Sequence, residues 1–177
     1  MERIQGLASG KIEYSDNHVT VVREPNIAYN DDKAVEACFQ KFCIDYAKAD
    51  IEHAIVITKD GEVYHLTGDS YSVDISVLGE KLNGAKVIHN HPDSKEFYGD
   101  CFSVEDFSAF FKHSIHRLEF VSGLGRYSIE YNGAHITESE AVDLYNKAYT
   151  KVLDEAFHSG KAIKYRQLQI IKWLSKN

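Results

Sequence analysis

The 177-residue chain has little of what marks a specialised class: two prolines, one tryptophan, one methionine and three cysteines. Two prolines exclude a polyproline or collagen-like rod. Cys38, Cys43 and Cys101 are an odd set without paired spacing. They argue against a disulfide scaffold and exclude a four-cysteine zinc site. No apolar run approaches the ~20 residues of a membrane-spanning helix. The opening stretch MERIQGLASGKIEYSDN lacks the apolar core of a signal peptide. The expectation is a cytoplasmic protein in a reducing compartment.

Basic charge is also in deficit. Twenty Lys and Arg against 27 Asp and Glu leave a net charge of −7. Membrane-surface and general nucleic-acid binders present a basic face, so both partners are argued against. The one basic cluster, Lys161, Lys164, Arg166 and Lys172, alternates with apolar residues and reads as the wet side of a helix. Repeats, low-complexity segments and linkers are absent from the sequence.

What is there is ordinary globular material, 44% hydrophobic and 27% charged, with nine histidines that ask for an explanation. Residues 1–31 read as an N-terminal arm with short strands, residues 32–136 as the core, and residues 137–177 as helices packed on the same domain. Asp31 and Asp32 open a helix that runs toward Asp50. On it Val35, Cys38, Phe39, Phe42 and Tyr46 recur at three- and four-residue steps. Residues 54–58 and 63–66 are strands around an Asp60-Gly61 hairpin turn. A short helix is expected over 74–82, on Ile75, Val77 and Leu78, and a strand over 85–89. Ser103 starts a helix carrying Phe107, Phe110 and Phe111. Strands follow over 118–121 and 127–131, then a long helix from Thr137 to Gly160 and a last one over 163–174. The expected fold class is mixed α/β (α+β): a sheet built mostly from hairpins and flanked by helices.

The segment Val87-Ile88-His89-Asn90-His91-Pro92 is the informative one. Residues i and i+2 of an extended chain point to the same side, so His89 and His91 bring two imidazoles into one small volume. Two convergent imidazoles are half of a zinc site. A carboxylate would complete a three-ligand set with an open position, the pattern of catalytic zinc. Asp106, in the following Phe102-Ser103-Val104-Glu105-Asp106, is the candidate. Each half also has a plainer reading. Ser-x-x-Asp is a helix-start signal, with Ser103 as the cap. The same spacing recurs at Thr137-Glu138-Ser139-Glu140.

Together, His-x-His-Pro followed by Phe-Ser-x-x-Asp resembles the JAMM (MPN-domain, JAB-like) zinc metalloprotease signature, over roughly residues 33–132. The likeness is nearest to bacterial or phage-borne members. The resemblance implies a cytidine-deaminase-like mixed sheet, here with an added C-terminal helical hairpin. It implies Zn2+ held by His89, His91 and Asp106, and Ser103 beside the tetrahedral intermediate. An upstream glutamate would be the general acid/base. Glu52 matches best in position, ending the first helix and opening the first core strand, with Glu62 and Glu80 as the other choices. The implied activity is hydrolysis of a peptide or isopeptide bond, at the C-terminus of a ubiquitin-like or other small protein. Two rivals keep the ligands: a catalytically silent JAMM-like binding module, and a zinc hydrolase of a small amide or phosphate ester. A zinc nucleobase deaminase is disfavoured, because the Pro-Cys-x-x-Cys pair is absent.

One departure from the signature is length. Fourteen residues separate His91 from Asp106, more than the family's usual spacing, and the excess falls in residues 95–101. A loop there would lie over the metal, and the Cys101 thiolate could take its open position. His18, His53, His65, His113, His116, His135 and His158 read as exposed or satisfied, with His53 on the face opposite Glu52. Gly123-x-Gly125 lacks the third glycine of a dinucleotide loop and reads as a turn.

Overall fold

The apolar recurrence after Asp31 folds as helix α1 (Asp32–Tyr46). The Asp31 carboxylate accepts the N–H groups of Lys33 and Ala34, satisfying donors that the first turn leaves open. Val35, Phe39 and Phe42 are its buried face. Cys38 and Cys43 are half-buried free thiols beside it. The helix stops at Tyr46, short of Asp50, because the Ala49 N–H turns back to the Tyr46 carbonyl.

The computed structural model describes residues 11–15, 19–92, 102–123, 125–133 and 136–159. Seven strands form one mixed sheet: β1 (Lys11–Ser15), β2 (Thr20–Glu24), β3 (His53–Ile57), β4 (Val63–Thr67), β5 (Lys86–Asn90), β6 (Arg117–Ser122) and β7 (Gly125–Glu130). Their order across the sheet is β1-β2-β4-β3-β5-β6-β7. Three neighbouring pairs, β1–β2, β3–β4 and β6–β7, join consecutive antiparallel strands as expected of a hairpin-built sheet. The exception is β5–β6, which is parallel and therefore needs a crossover. Helix α2 (Val104–Lys112) supplies it. In the β3–β4 turn Gly61 has φ +77°, and a Cβ there would stand 2.5 Å from the Ile27 carbonyl oxygen. Only glycine meets both demands.

Period-two alternation sorts the sheet into two faces. One packs Ile55, Ile57, Val63, Ile88 and Val121 under α1. The other packs Ala54, Val56, Leu66, Val87, Leu118 and Phe120 against Phe107 and Phe110 of α2 and Tyr145 of helix α3 (Glu138–Ser159). Tyr145 donates its hydroxyl to the buried Phe102 carbonyl at 2.9 Å, so α3 holds the chain immediately before α2. The segment expected as a short helix over 74–82 is a 3-10 helix, Ile75–Leu82, broken at Gly79 (φ 55°, ψ −128°).

On the α1 face the fully buried Glu119 carboxylate lies between the guanidinium groups of Arg117 and Arg126, which also pair with Glu36 of α1. A buried acid demands such partners. No helix among the described residues is long and apolar enough to cross a membrane. The expected final helix over 163–174 lies outside the described residues, as do residues 93–101 with Cys101.

Candidate metal centre

The parallel β5–α2–β6 crossover brings the N-terminus of α2 to the carboxyl end of β5, where open α/β sheets bind ligands. His89 is the fourth residue of β5, and His91 follows its end with its N–H bonded to the Val121 carbonyl at 2.9 Å. Both side chains turn to the α2 face, as two-residue spacing requires. Asp106 lies in the first turn of α2 and meets them.

The donor atoms converge. His89 Nε2 lies 2.8 Å from His91 Nε2 and 3.2 Å from Asp106 Oδ1, and His91 Nε2 lies 3.6 Å from Asp106 Oδ2. Bonds of about 2.0–2.2 Å to a tetrahedral cation place its ligand atoms about 3.3–3.6 Å apart. The two histidine–carboxylate separations lie at that range and the two Nε2 atoms lie closer than it, so a small parting of the rings would let this group hold a small divalent cation. Among the described residues it is the one group of three or more His, Cys, Asp or Glu side chains able to hold a metal ion. The His91 ring stacks on Phe120, with centroids 4.4 Å apart and planes at 15°. Its Nδ1 is buried without a hydrogen-bond partner. On the Nδ1 side, stacking on Phe120 rather than a hydrogen bond orients this ring.

Burial opposes charge on Asp106, but the adjoining His89 and His91 outweigh it and hold the carboxyl well below the usual aspartate range. Asp106 also closes a capping box with Ser103. The Ser103 hydroxyl accepts the Asp106 N–H at 3.0 Å and donates to Asp106 Oδ2 at 2.9 Å, while the Ser103 N–H donates to the same oxygen at 2.7 Å. The capping reading of Ser-x-x-Asp is realised, and it is compatible with the ligand reading: the cap itself orients the carboxylate toward the two imidazoles. In this arrangement the hydroxyl of Ser103 is directed at Asp106.

A cleft of ≈710 Å³ opens over these residues, lined by Glu52, His89, His91, Ser103 and Asp106. Its other wall is residues 70–76. Glu52 does not end a helix; it precedes β3 directly. Burial pushes its carboxyl up to about 7, with Asp106 and Asp69 adding to the rise, while His91 and the Val73 N–H oppose it. A carboxylate that titrates near neutrality suits proton transfer.

The other two glutamates lie elsewhere. Glu62 sits at the β3–β4 turn, bonded to Lys81 at 2.5 Å and Tyr64 at 2.9 Å, and Glu80 is exposed on the 3-10 segment. Neither lines the cleft.

His53 faces α1, opposite Glu52, as expected. Its Nδ1 meets His65 Nε2 at 3.2 Å, and Tyr46 covers both rings at 4.3 and 5.2 Å. His113 caps the end of α2 and His116 is exposed. His18, His135 and the His158 side chain lie outside the described residues.

Two participants were missed in the sequence, Phe120 and Val73. Nothing local marks them, because their roles depend on which strand or turn lies next to the ligands. No protein-family model matches the chain, and no curated protein or solved structure matches it. Its chemistry is therefore read from its own residues.

Proposed function

We propose that the cleft is the active site of a zinc-dependent hydrolase of amide bonds, of the JAMM type that the His-x-His-Pro and Ser-x-x-Asp order resembles. The observation that carries this reading is one arrangement. Three donors can hold a small divalent cation, and a carboxylate titrating near neutrality lines the same cleft. His89, His91 and Asp106 would hold zinc. Zinc supplies Lewis acidity toward a water molecule and toward the substrate carbonyl. Two neutral imidazoles and one carboxylate are a ligand set typical of catalytic zinc.

The remaining steps belong to the chain. Glu52 takes a proton from the attacking water and returns it to the leaving nitrogen. Its titration near 7 lets it do both at neutral pH. Ser103 holds Asp106 in place, and its hydroxyl, turned from Asp106 Oδ2, becomes a donor for the developing oxyanion. A cleft of ≈710 Å³ admits an extended peptide tail. The substrate that the resemblance implies, an amide at the C-terminus of a ubiquitin-like or other small protein, is of a shape this cleft can take.

The test is Glu52→Gln in the full chain. About one zinc per chain should be kept, and hydrolysis of peptide- and isopeptide-linked tails should fall by 10³-fold or more. Undiminished hydrolysis would remove Glu52 from the mechanism. One observation favours a second reading, a silent tail-binding cleft: the Ser103 hydroxyl is already engaged by Asp106. Tail binding by the zinc-loaded chain without cleavage would select it.

A further inference from the structure

The residue between the two histidine donors, Asn90, points to the opposite face of the sheet and is fully buried. Its Oδ1 accepts the His53 N–H at 2.7 Å, and its Nδ2 donates to the Ile51 carbonyl at 3.0 Å. Those two backbone groups flank Glu52.

The surrounding ladder explains the arrangement. The paired register of β3 and β5 ends at Ala54 opposite His89. Beyond it the His91 N–H continues the pairing with β6 through the Val121 carbonyl at 2.9 Å. On the β3 side the His53 N–H and the Ile51 carbonyl are met by the Asn90 side chain. The other edge is satisfied: the Glu52 N–H bonds the Asp69 carbonyl at 2.7 Å, and the Gly68 N–H bonds the Glu52 carbonyl at 2.8 Å. A carboxamide carries the same donor and acceptor pair as a peptide unit. The Asn90 side chain thus continues the ladder past the point where the β3–β5 register ends.

We propose that Asn90 is a positioning residue for Glu52. One residue ties the metal-ligand turn to the backbone on both sides of the base, so Glu52 is placed relative to His89 and His91 by a two-point clamp. Carboxylates lack the donor, aliphatic side chains lack both groups, and serine reaches one of them at most. This inference rests on the proposed role of Glu52.

The experiment uses the full chain as Asn90→Leu, close in size and without polar atoms, and as Asn90→Ser should the first not fold. Amide exchange is read first, because it needs no substrate. The His53 amide should exchange at least about tenfold faster, with Ala54–Ile57 still protected. Zinc affinity, by competition with a chromophoric chelator, should stay within about threefold, unlike the loss in His91→Ala. On a cleaved tail substrate kcat should fall about 10- to 100-fold, with KM nearly unchanged. In a Glu52→Gln background the same substitution should cost nothing further, since a residue acting through Glu52 has nothing left to place.

Unchanged His53 exchange, a zinc loss as large as that of His91→Ala, or full additivity with Glu52→Gln would each overturn the inference. The failures are distinguishable. An active Glu52→Gln chain defeats the base assignment itself. An inactive Glu52→Gln beside a fully active Asn90→Leu defeats only the clamp.

Discussion

The His91 imidazole lies flat on the Phe120 ring, 4.4 Å away and 15° from parallel. Phe120 is fully buried on β6 and stacks in turn on Tyr127 of β7 at 4.9 Å. A metal-ligating histidine usually gains its orientation from a hydrogen bond through its second nitrogen. Here that nitrogen, Nδ1, is buried without a partner, and an aromatic face takes over the task. Phe120→Leu should therefore lower zinc affinity by about tenfold, the size of effect seen when groups supporting a ligand are lost. Chelator competition measures it. A stability loss with unaltered zinc affinity would show that Phe120 serves packing alone.

Zinc itself should stabilise the fold. Ligand present at about a thousandfold over its Kd adds about 4 kcal/mol to a protein that binds it only when folded. For a chain of this size that is a rise in Tm of about 10 °C. Thermal unfolding with and without chelator reads the effect. His91→Ala should abolish most of the shift, and a shift that survives it would place the ion elsewhere.

Ser103→Ala removes the acceptor for the Asp106 N–H and the donor to Asp106 Oδ2. Loss of such a cap costs about 1 kcal/mol. Threonine keeps both bonds, so Ser103→Thr should keep stability and zinc affinity. If Ser103→Ala cuts kcat far beyond its effect on zinc affinity and stability, the hydroxyl also serves the reacting carbonyl.

Gly68 shows how closely the cleft wall is set. A Cβ there would lie 2.0 Å from the Ser72 carbonyl oxygen and 2.7 Å from Val73 Cα. Gly68→Ala must push the 69–73 turn outward, and with it the Val73 N–H that bonds the Glu52 carboxylate. Hydrolysis should fall while zinc uptake persists. Equal activity in the variant would mean that the turn yields without moving Val73.

The paired histidines behind the sheet set a pH limit on stability. Burial lowers the pKa of His53, and burial followed by His53 pushes His65 down to about 4. Both folded values lie below the ordinary 6.5, so the unfolded chain binds more protons as pH falls below 6.5. The His65 contribution should therefore be level above pH 6.5 and drop between 6.5 and about 4, by up to about 3 kcal/mol. Glu52, raised to about 7, works in the opposite sense between about 4.5 and 7. The slope is therefore read as the difference in urea stability between the unaltered chain and His65→Gln across that window, and a difference that stays constant with pH would remove His65 as its source.

The convergence of the three candidate donors was legible in the sequence because their signals are local. His89 and His91 follow from the two-residue period of a strand, and Asp106 sits at the third position after a cap. Glu52 was harder to place, since its neighbours Ile51 and His53 owe their partners to a side chain of β5. The halt of α1 at Tyr46 went unseen because residues 47–51 carry no Gly or Pro stop signal. The parallel β5–β6 pairing was also hidden: strand order is a property of distant contacts, and hairpin signals near it gave no hint of a crossover. Asn90 did leave a trace, as the polar residue on the apolar side of β5, opposite the histidines.

The bond from Tyr145 to the Phe102 carbonyl ties the candidate donors to the docking of α3. All three donors lie before residue 107, yet the start of α2 is secured only when α3 has packed against it. A chain truncated before residue 138 would carry all three on an unlatched helix. Competence to hold an ion would then report that α3 has docked.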